Sequence, residues 1–228
     1  MSPRQRVLDL RHAAPVILPS LLLCDFGKFA EEIRAVEAAG AQALHLDVMD
    51  GVFVDNITYG MPIIAAANAA SDLPLDVHLM IDNPVDYVDA FVDAGADVLT
   101  VHVEAKNPRA ALERIRQRDA AASLAINPST PLGEAEELLP LCDMVLAMSV
   151  HPGFGAQEFD PVALEKLQEL RERRGGELLL EIDGGVNAGT IARCTGAGAS
   201  MLVVGSAIFK SPAPYAESLE QLNQLARQ

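Results

Sequence analysis

Positive charge is scarce in this chain. Its 228 residues carry 17 lysines and arginines against 32 acids, a formal net charge of -15. Such a surface repels phosphate backbones and anionic lipid, so neither nucleic acid nor a membrane surface is an expected partner. Any anionic ligand must then be caught by a local device, because the overall field works against it. Cysteine is sparse as well. Cys24, Cys142 and Cys194 are far apart and odd in number, which argues against a disulfide framework, and no Cys-x-x-Cys pair points to a zinc knuckle. Reduced thiols in a cytoplasmic protein are the simple expectation. Long apolar runs are missing too. Residues Met1–Pro15 lack the apolar stretch of a secretory leader, and nothing reaches the ~18 apolar residues that span a bilayer.

What the chain has in quantity is apolar sequence in short pieces. It is 50% hydrophobic and 21% charged, which supplies a sizeable core and rules out wholesale disorder. The apolar runs are Val16–Ser20, Ala43–Val48, Leu75–Met80, Val98–His102, Ser123–Asn127, Met144–Met148, Leu178–Ile182 and Met201–Val204. Most are apolar on both faces, as parallel strands covered on both sides are. Between them lie helix-like stretches such as Phe29–Ala39, Val85–Ala94, Pro108–Arg118, Pro161–Arg173 and Ala188–Thr195. Three Gly-Ala steps, Gly40-Ala41, Gly95-Ala96 and Gly198-Ala199, fit helix C-caps just ahead of the next strand. Eight strand candidates, each followed by helix-like sequence, over a length near the ~250 residues typical of the fold predict a single-domain (β/α)8 TIM barrel. A doubly wound open sheet shows the same alternation, but the strand count favours the barrel. No linker breaks residues 15–228, and Met1–Ala14 reads as an N-terminal extension for which disorder is left open. Gly51–Gly60 reads as a long loop after the second strand.

Barrels of this kind place chemistry at the C-terminal ends of their strands. Several runs here end in polar residues: Ser20 on the first, His45-Leu46-Asp47-Val48-Met49-Asp50 on the second, Asp76-Val77-His78-Leu79-Met80 on the third and Asp183 after the seventh. Residues two apart on a strand share a face, so His45, Asp47 and Met49 lie together, as do His78 and Met80. If those faces point inward, two imidazoles and Asp47 meet at the barrel mouth, and Asp183 approaches from across it. Two histidines and two aspartates suit Zn2+, Fe2+, Mn2+ or Co2+. Four costly polar groups set within apolar runs favour a functional site over accident. His12, His102 and His151 read instead as hydrogen-bonded structural residues, Met49, Met80 and Met148 taken singly as core fillers, and Asp50 as a turn residue. Gly184-Gly185 and Gly205-Ser206 fall in the loops after strands seven and eight, where such barrels often hold phosphate on backbone N–H groups. Small residues there let the main chain approach an anion closely without lysine or arginine, which answers the difficulty set by the net charge.

At these residues the chain resembles the ribulose-phosphate 3-epimerase family, from Ile17 to about Leu222. The matching segments are Pro19-Ser20-Leu21-Leu22, His45–Gly51, Asp76–Met80, Met148–Gly155, Ile182–Val186 and Gly205–Phe209. The resemblance implies a carbohydrate isomerase of the pentose phosphate pathway that interconverts D-ribulose 5-phosphate and D-xylulose 5-phosphate. It implies one divalent metal ion held by His45, Asp47, His78 and Asp183, with Asp47 and Asp183 as the catalytic proton carriers. It assigns substrate contacts to Ser20, His78, Gly153, Phe154, Gly155, Ala156, Asp183, Gly184, Gly185, Gly205 and Ser206, and an enediolate lining to Met49, Met80 and Met148. It also implies a homo-oligomer, dimer or hexamer, with a sugar phosphate as the small-molecule partner. Two positions depart from the family pattern: Ala156 stands where glycine is usual, and Asp55 where proline is common.

Inverting a carbon beside a ketone requires removing one proton and restoring another from the opposite face. A metal can stabilise the enediolate charge between the two steps. Placing Asp47 on strand two and Asp183 on strand seven supplies the two faces. Three rivals are a 3-epimerase of another ketose phosphate such as allulose 6-phosphate, a decarboxylase on a related barrel, and a non-catalytic sugar-phosphate sensor. The decarboxylases carry Asp-x-Lys-x-x-Asp on a strand, and Asp47-Val48-Met49-Asp50 has no lysine. The sensor would have no need of the acid/base pair, yet both carboxylates are present.

Overall fold

The apolar runs become strands because each has its outward face under a helix and its inward face in the barrel. In the computed structural model, which describes residues 1–153, 157–174 and 176–228, they are β1 (Val16–Pro19), β2 (Leu44–Met49), β3 (Leu75–Met80), β4 (Val98–His102), β5 (Ala121–Ile126), β6 (Met144–Met148), β7 (Leu179–Asp183) and β8 (Met201–Val204). All neighbours pair in parallel, in the order β1-β8-β7-β6-β5-β4-β3-β2. A parallel bridge between Ser20 and His45 joins β1 to β2 and closes the ring at the mouth. The sheet is therefore the predicted TIM barrel.

The helices are α1 (Pro3–Asp9), α2 (Phe29–Ala38), α3 (Met61–Ala70), α4 (Val88–Asp93), α5 (Pro108–Gln117), α6 (Val162–Arg174), α7 (Ile191–Ala197), α8 (Ser206–Phe209) and α9 (Tyr215–Ala226). The three Gly-Ala steps end α2, α4 and α7 as expected. Gly40, Gly95 and Gly198 hold φ of 100°, 112° and 117°, a left-handed backbone that glycine adopts without steric cost. At each, the following alanine N–H reaches back across the last turn, to the Val36, Phe91 and Cys194 carbonyls respectively. One connection differs from the sequence reading. Between β5 and β6 the chain forms only short 3-10 turns, Leu132–Ala135 and Leu139–Leu141. Pro128, Pro131, Gly133 and Pro140 interrupt that segment, and proline inside a helix costs a hydrogen bond and clashes with the preceding turn.

Inside the barrel the side chains change character from bottom to top. At the N-terminal ends of the strands, Val16, Leu18, Ala43, Val98, Ala121, Met144, Leu179 and Met201 form an apolar floor. The N-terminal extension plugs this floor. Val7 of α1 is fully buried against it, Arg4 donates to both oxygens of Asp143 at 3.0 and 2.7 Å, and Arg6 donates to Asp97 at 2.8 Å. Those carboxylates in turn accept backbone N–H groups of Ala122 and Leu75 at the strand starts, so the plug is tied to the sheet. Higher up, the inward positions turn polar: His45, Asp76, Thr100, Ser123 and Glu181 are all buried.

Removing two buried carbon groups by Val7→Ala is expected to lower stability by roughly 2 kcal/mol, at ~0.8 kcal/mol per buried carbon. Urea unfolding followed by circular dichroism measures it. An unchanged midpoint would show that α1 does not stabilise the barrel.

Candidate metal and acid/base site

Asp47 is the centre of the mouth. It is 4% exposed, and a buried carboxylate needs hydrogen bonds to remain charged. Three side chains supply them. Ser20 Oγ donates to Oδ2 at 2.9 Å, while His45 Nε2 and His78 Nδ1 lie 3.1 and 3.2 Å from Oδ1. Burial alone would push the Asp47 carboxyl up. The charge on His45 and the hydrogen bonds from both rings outweigh it and hold the group well below the usual carboxylate range. The loop after β2 braces this strand end. Thr58 Oγ1 donates to the Asp47 carbonyl at 2.7 Å, and the Asp47 N–H donates to Tyr59 Oη at 3.0 Å.

Asp183 ends β7 and reaches the same point from across the barrel. Single donor atoms of His45, Asp47, His78 and Asp183 all lie within 4.8 Å of one another. Two imidazole nitrogens and two carboxylate oxygens at that spacing could hold a divalent cation, and the donor types suit zinc and its neighbours. Burial, followed by the nearby Asp47 charge, raises Asp183 to about 6. The two carboxylates are thus pushed apart in proton affinity, the pattern expected of groups that divide acid and base roles.

Below and beside this set lie polar residues that the sequence reading did not assign to the site. Asp76 Oδ2 accepts from His45 Nδ1 at 2.6 Å, which leaves His45 Nε2 turned toward Asp47. Glu181 Oε1 sits 3.9 Å from the same Nδ1, and burial, followed by the charge of Asp76, raises the Glu181 carboxyl well above its ordinary value. His102, read from sequence as structural, touches His78 directly, with Nε2 atoms 2.8 Å apart. The period of two could have found Asp76 and Glu181, which stand two residues before His78 and Asp183 on the same faces.

The remaining expected contacts surround one cleft of about 690 Å3, counting its open side, a size suited to a small ligand. Ser20, Met49, Met80, Met148, Gly153, Asp183, Gly184, Gly185, Gly205 and Ser206 all line it. Phe154, Gly155 and Ala156 lie outside the described residues. Met49 and Met80 pack with Val54, and Asn56 Nδ2 ties the loop after β2 to the Gly153 carbonyl at 2.7 Å. Glycine is required at position 184. Its φ is 106°, and a Cβ there would fall 2.6 Å from Val150 Cγ2. At Gly205 an added Cβ would press on Leu23 Cδ1 at 3.2 Å. No lysine or arginine lines the cleft among the described residues.

The geometry defines a class: a TIM barrel whose mouth carries a largely buried His2Asp2 set able to hold a metal ion. The comparisons with known proteins place the chain more closely. Residues 16–209 match the model of the ribulose-phosphate 3 epimerase family. The chain is 45% identical over 210 residues to the ribulose-phosphate 3-epimerase of Synechocystis sp., covering 90% of this chain and 91% of that protein. With the Bacillus subtilis ribulose-phosphate 3-epimerase it shares 44% over 198 residues, 85% of this chain and 91% of that one. A crystal structure of 3-hexulose-6-phosphate synthase from Salmonella typhimurium superposes with a TM-score of 0.73 over 93% of this chain and 99% of that one. At 16% identity that likeness concerns the fold alone. The chain belongs to the ribulose-phosphate 3-epimerase family of enzymes, as its motifs imply. No helix among the described residues is long and apolar enough to cross a membrane.

Protein loaded with Zn2+ and freed of excess is expected to keep about one ion per chain, and His78→Ala to lose it, as read by elemental analysis. Equal zinc content in the two proteins would remove His78 from the donor set.

Proposed function

We propose that this enzyme interconverts D-ribulose 5-phosphate and D-xylulose 5-phosphate by moving a proton on and off C3 from opposite faces. The observation that carries the reading is the approach of Asp47 and Asp183 to one point from β2 and β7. In each direction one carboxylate takes the C3 proton, breaking C–H and forming O–H, while the other carboxylic acid delivers its proton to the far face. His45, Asp47, His78 and Asp183 would hold a divalent ion, with Zn2+, Fe2+, Mn2+ and Co2+ as candidates. When bound, that ion supplies positive charge against the oxygens that become negative as C3 loses its proton. Ser20 holds Asp47 Oδ2 in place through its 2.9 Å hydrogen bond. The thioethers of Met49, Met80 and Met148 line the cleft without offering acidic protons that would compete with the two aspartates.

The phosphate end is assigned to the loops after β7 and β8. The cleft has glycines and Ser206 there and no cationic side chain among its described lining, so backbone N–H groups are the donors at hand. The family relatives bear the name ribulose-phosphate 3-epimerase, which supports the choice of substrate. Met49 stands where the related decarboxylases carry lysine, which speaks against that chemistry.

In a coupled assay for xylulose 5-phosphate, Asp47→Asn and Asp183→Asn should each lose most turnover, with metal content measured alongside. Near-normal rates at matched metal occupancy would rule out the two-carboxylate shuttle. Gly205→Val should raise KM sharply without altering zinc content, because its side chain presses on Leu23 and crowds the end of the cleft assigned to the phosphate. The phosphate assignment fails if KM stays ordinary while replacement of some single basic residue raises it.

A further inference from the structure

His78 is held from behind as well as from the front. Its Nε2 lies 2.8 Å from Nε2 of His102 on β4, and His102 Nδ1 lies 3.1 Å from Oε2 of Glu104, two residues on. Glu104 is itself anchored, since its Oε1 accepts the Asn127 N–H at 2.9 Å. Phe53 packs against the His102 ring at 4.8 Å, and the His78 ring stacks on it at 4.9 Å. His102 is fully buried.

The hydrogen-bond roles along this chain follow from donor chemistry. An ionised carboxylate only accepts, so the hydrogen between Glu104 and His102 sits on His102 Nδ1. A neutral imidazole carrying hydrogen on Nδ1 has a bare Nε2. The hydrogen between the two Nε2 atoms therefore belongs to His78. His78 Nδ1 is then the nitrogen that faces Asp47 Oδ1, 3.2 Å away, on the side where the four donor atoms converge. The hydrogen it gives that carboxylate in the ion-free site is the one a cation displaces, while Nε2–H stays in place. The reverse arrangement, with hydrogen on His102 Nε2, would make Nδ1 carry the only hydrogen of a neutral His78 ring and remove it as a ligand. We propose that Glu104 and His102 are positioning residues of the metal centre, holding His78 in the tautomer whose Nδ1 can bind a cation.

This proposal rests on the metal reading above and adds two residues outside the donor set. His45 shows the shorter form of the same device, with Asp76 directly on its Nδ1. Outer partners of ligating histidines fix tautomer and ring orientation, and their loss costs metal affinity. A packing role alone would not need imidazole, because an apolar side chain fills a buried site without leaving polar atoms to satisfy.

Long-range proton–nitrogen NMR of histidine-labelled, metal-free protein at neutral pH tests the tautomers directly. His102 should carry its hydrogen on Nδ1 and His78 on Nε2, and hydrogen on His102 Nε2 would overturn the proposal. Zinc affinity, read by competition with a chelating dye, gives a second measure. His102→Leu removes the acceptor and should weaken zinc by about 10–100-fold. His102→Gln offers an amide oxygen to the His78 Nε2–H and should recover much of that loss. A folded His102→Leu protein that binds zinc like the parent would also overturn the proposal, and should that variant not fold, the parent's spectrum decides. Glu104→Gln should let His102 populate the other tautomer. These readouts do not depend on epimerisation. Loss of the proposed activity reading would leave them standing, and their failure would leave that reading intact.

Discussion

A carboxylate kept charged out of contact with bulk water is the constraint on which the mouth of this barrel depends. Asp47 is 4% exposed, and an ionised group so placed is tolerated only if its oxygens are fully engaged. Ser20, His45 and His78 meet that requirement, but each imidazole brings a second nitrogen that must also be satisfied in a dry interior. The demand therefore propagates outward: from His45 to Asp76, and from His78 through His102 to Glu104. Much of the polarity in the upper half of the barrel follows from this one buried charge, which calls for a network of partners.

Stability and chemistry are accordingly assigned to opposite ends. The apolar floor, sealed by Val7 and bound to α1 through the Arg4–Asp143 and Arg6–Asp97 pairs, contains none of the site residues. The mouth carries the charge burden and, in Gly184 and Gly205, positions where the backbone comes close to its neighbours. The surface charge of -15 gives no help with an anionic ligand. Fixed backbone dipoles can still act at contact distance, where a diffuse field is screened within about 10 Å.

The two aspartates sit in unequal surroundings. Asp47 is held low by imidazoles, while Asp183 is raised to about 6 by burial and by Asp47 itself. A reversible transfer that uses both faces needs one member of the pair to hold a proton while the other does not. Two equally exposed carboxylates would both be ionised at neutral pH, and neither could act as the acid. The inequality suits the proposed two-face shuttle, and it arises from the same network that keeps Asp47 charged.

How far the molecule is legible in its sequence depends on whether a feature lies along one strand or between strands. Strand positions, the three glycine helix ends and the convergence of His45, Asp47, His78 and Asp183 follow from periodicities of two and from turn chemistry, and the structure brings those four residues together. The expected helix between β5 and β6 is the failure on the fold, since four helix-breaking residues in one segment override the alternation. Asp76 and Glu181 are within reach, because the rule that pairs His45 with Asp47 also pairs them with His78 and Asp183. His102 and Glu104 are not. Glu104 lies beyond the end of β4, and the approach of His102 to His78 depends on the stagger between β3 and β4, where His78 pairs with Thr100 and not with His102. Strand spacing in a sequence does not encode that offset. A lone histidine at a strand end therefore looks structural until its neighbour across the sheet is known, and here the neighbour is a metal-capable imidazole whose tautomer His102 can set.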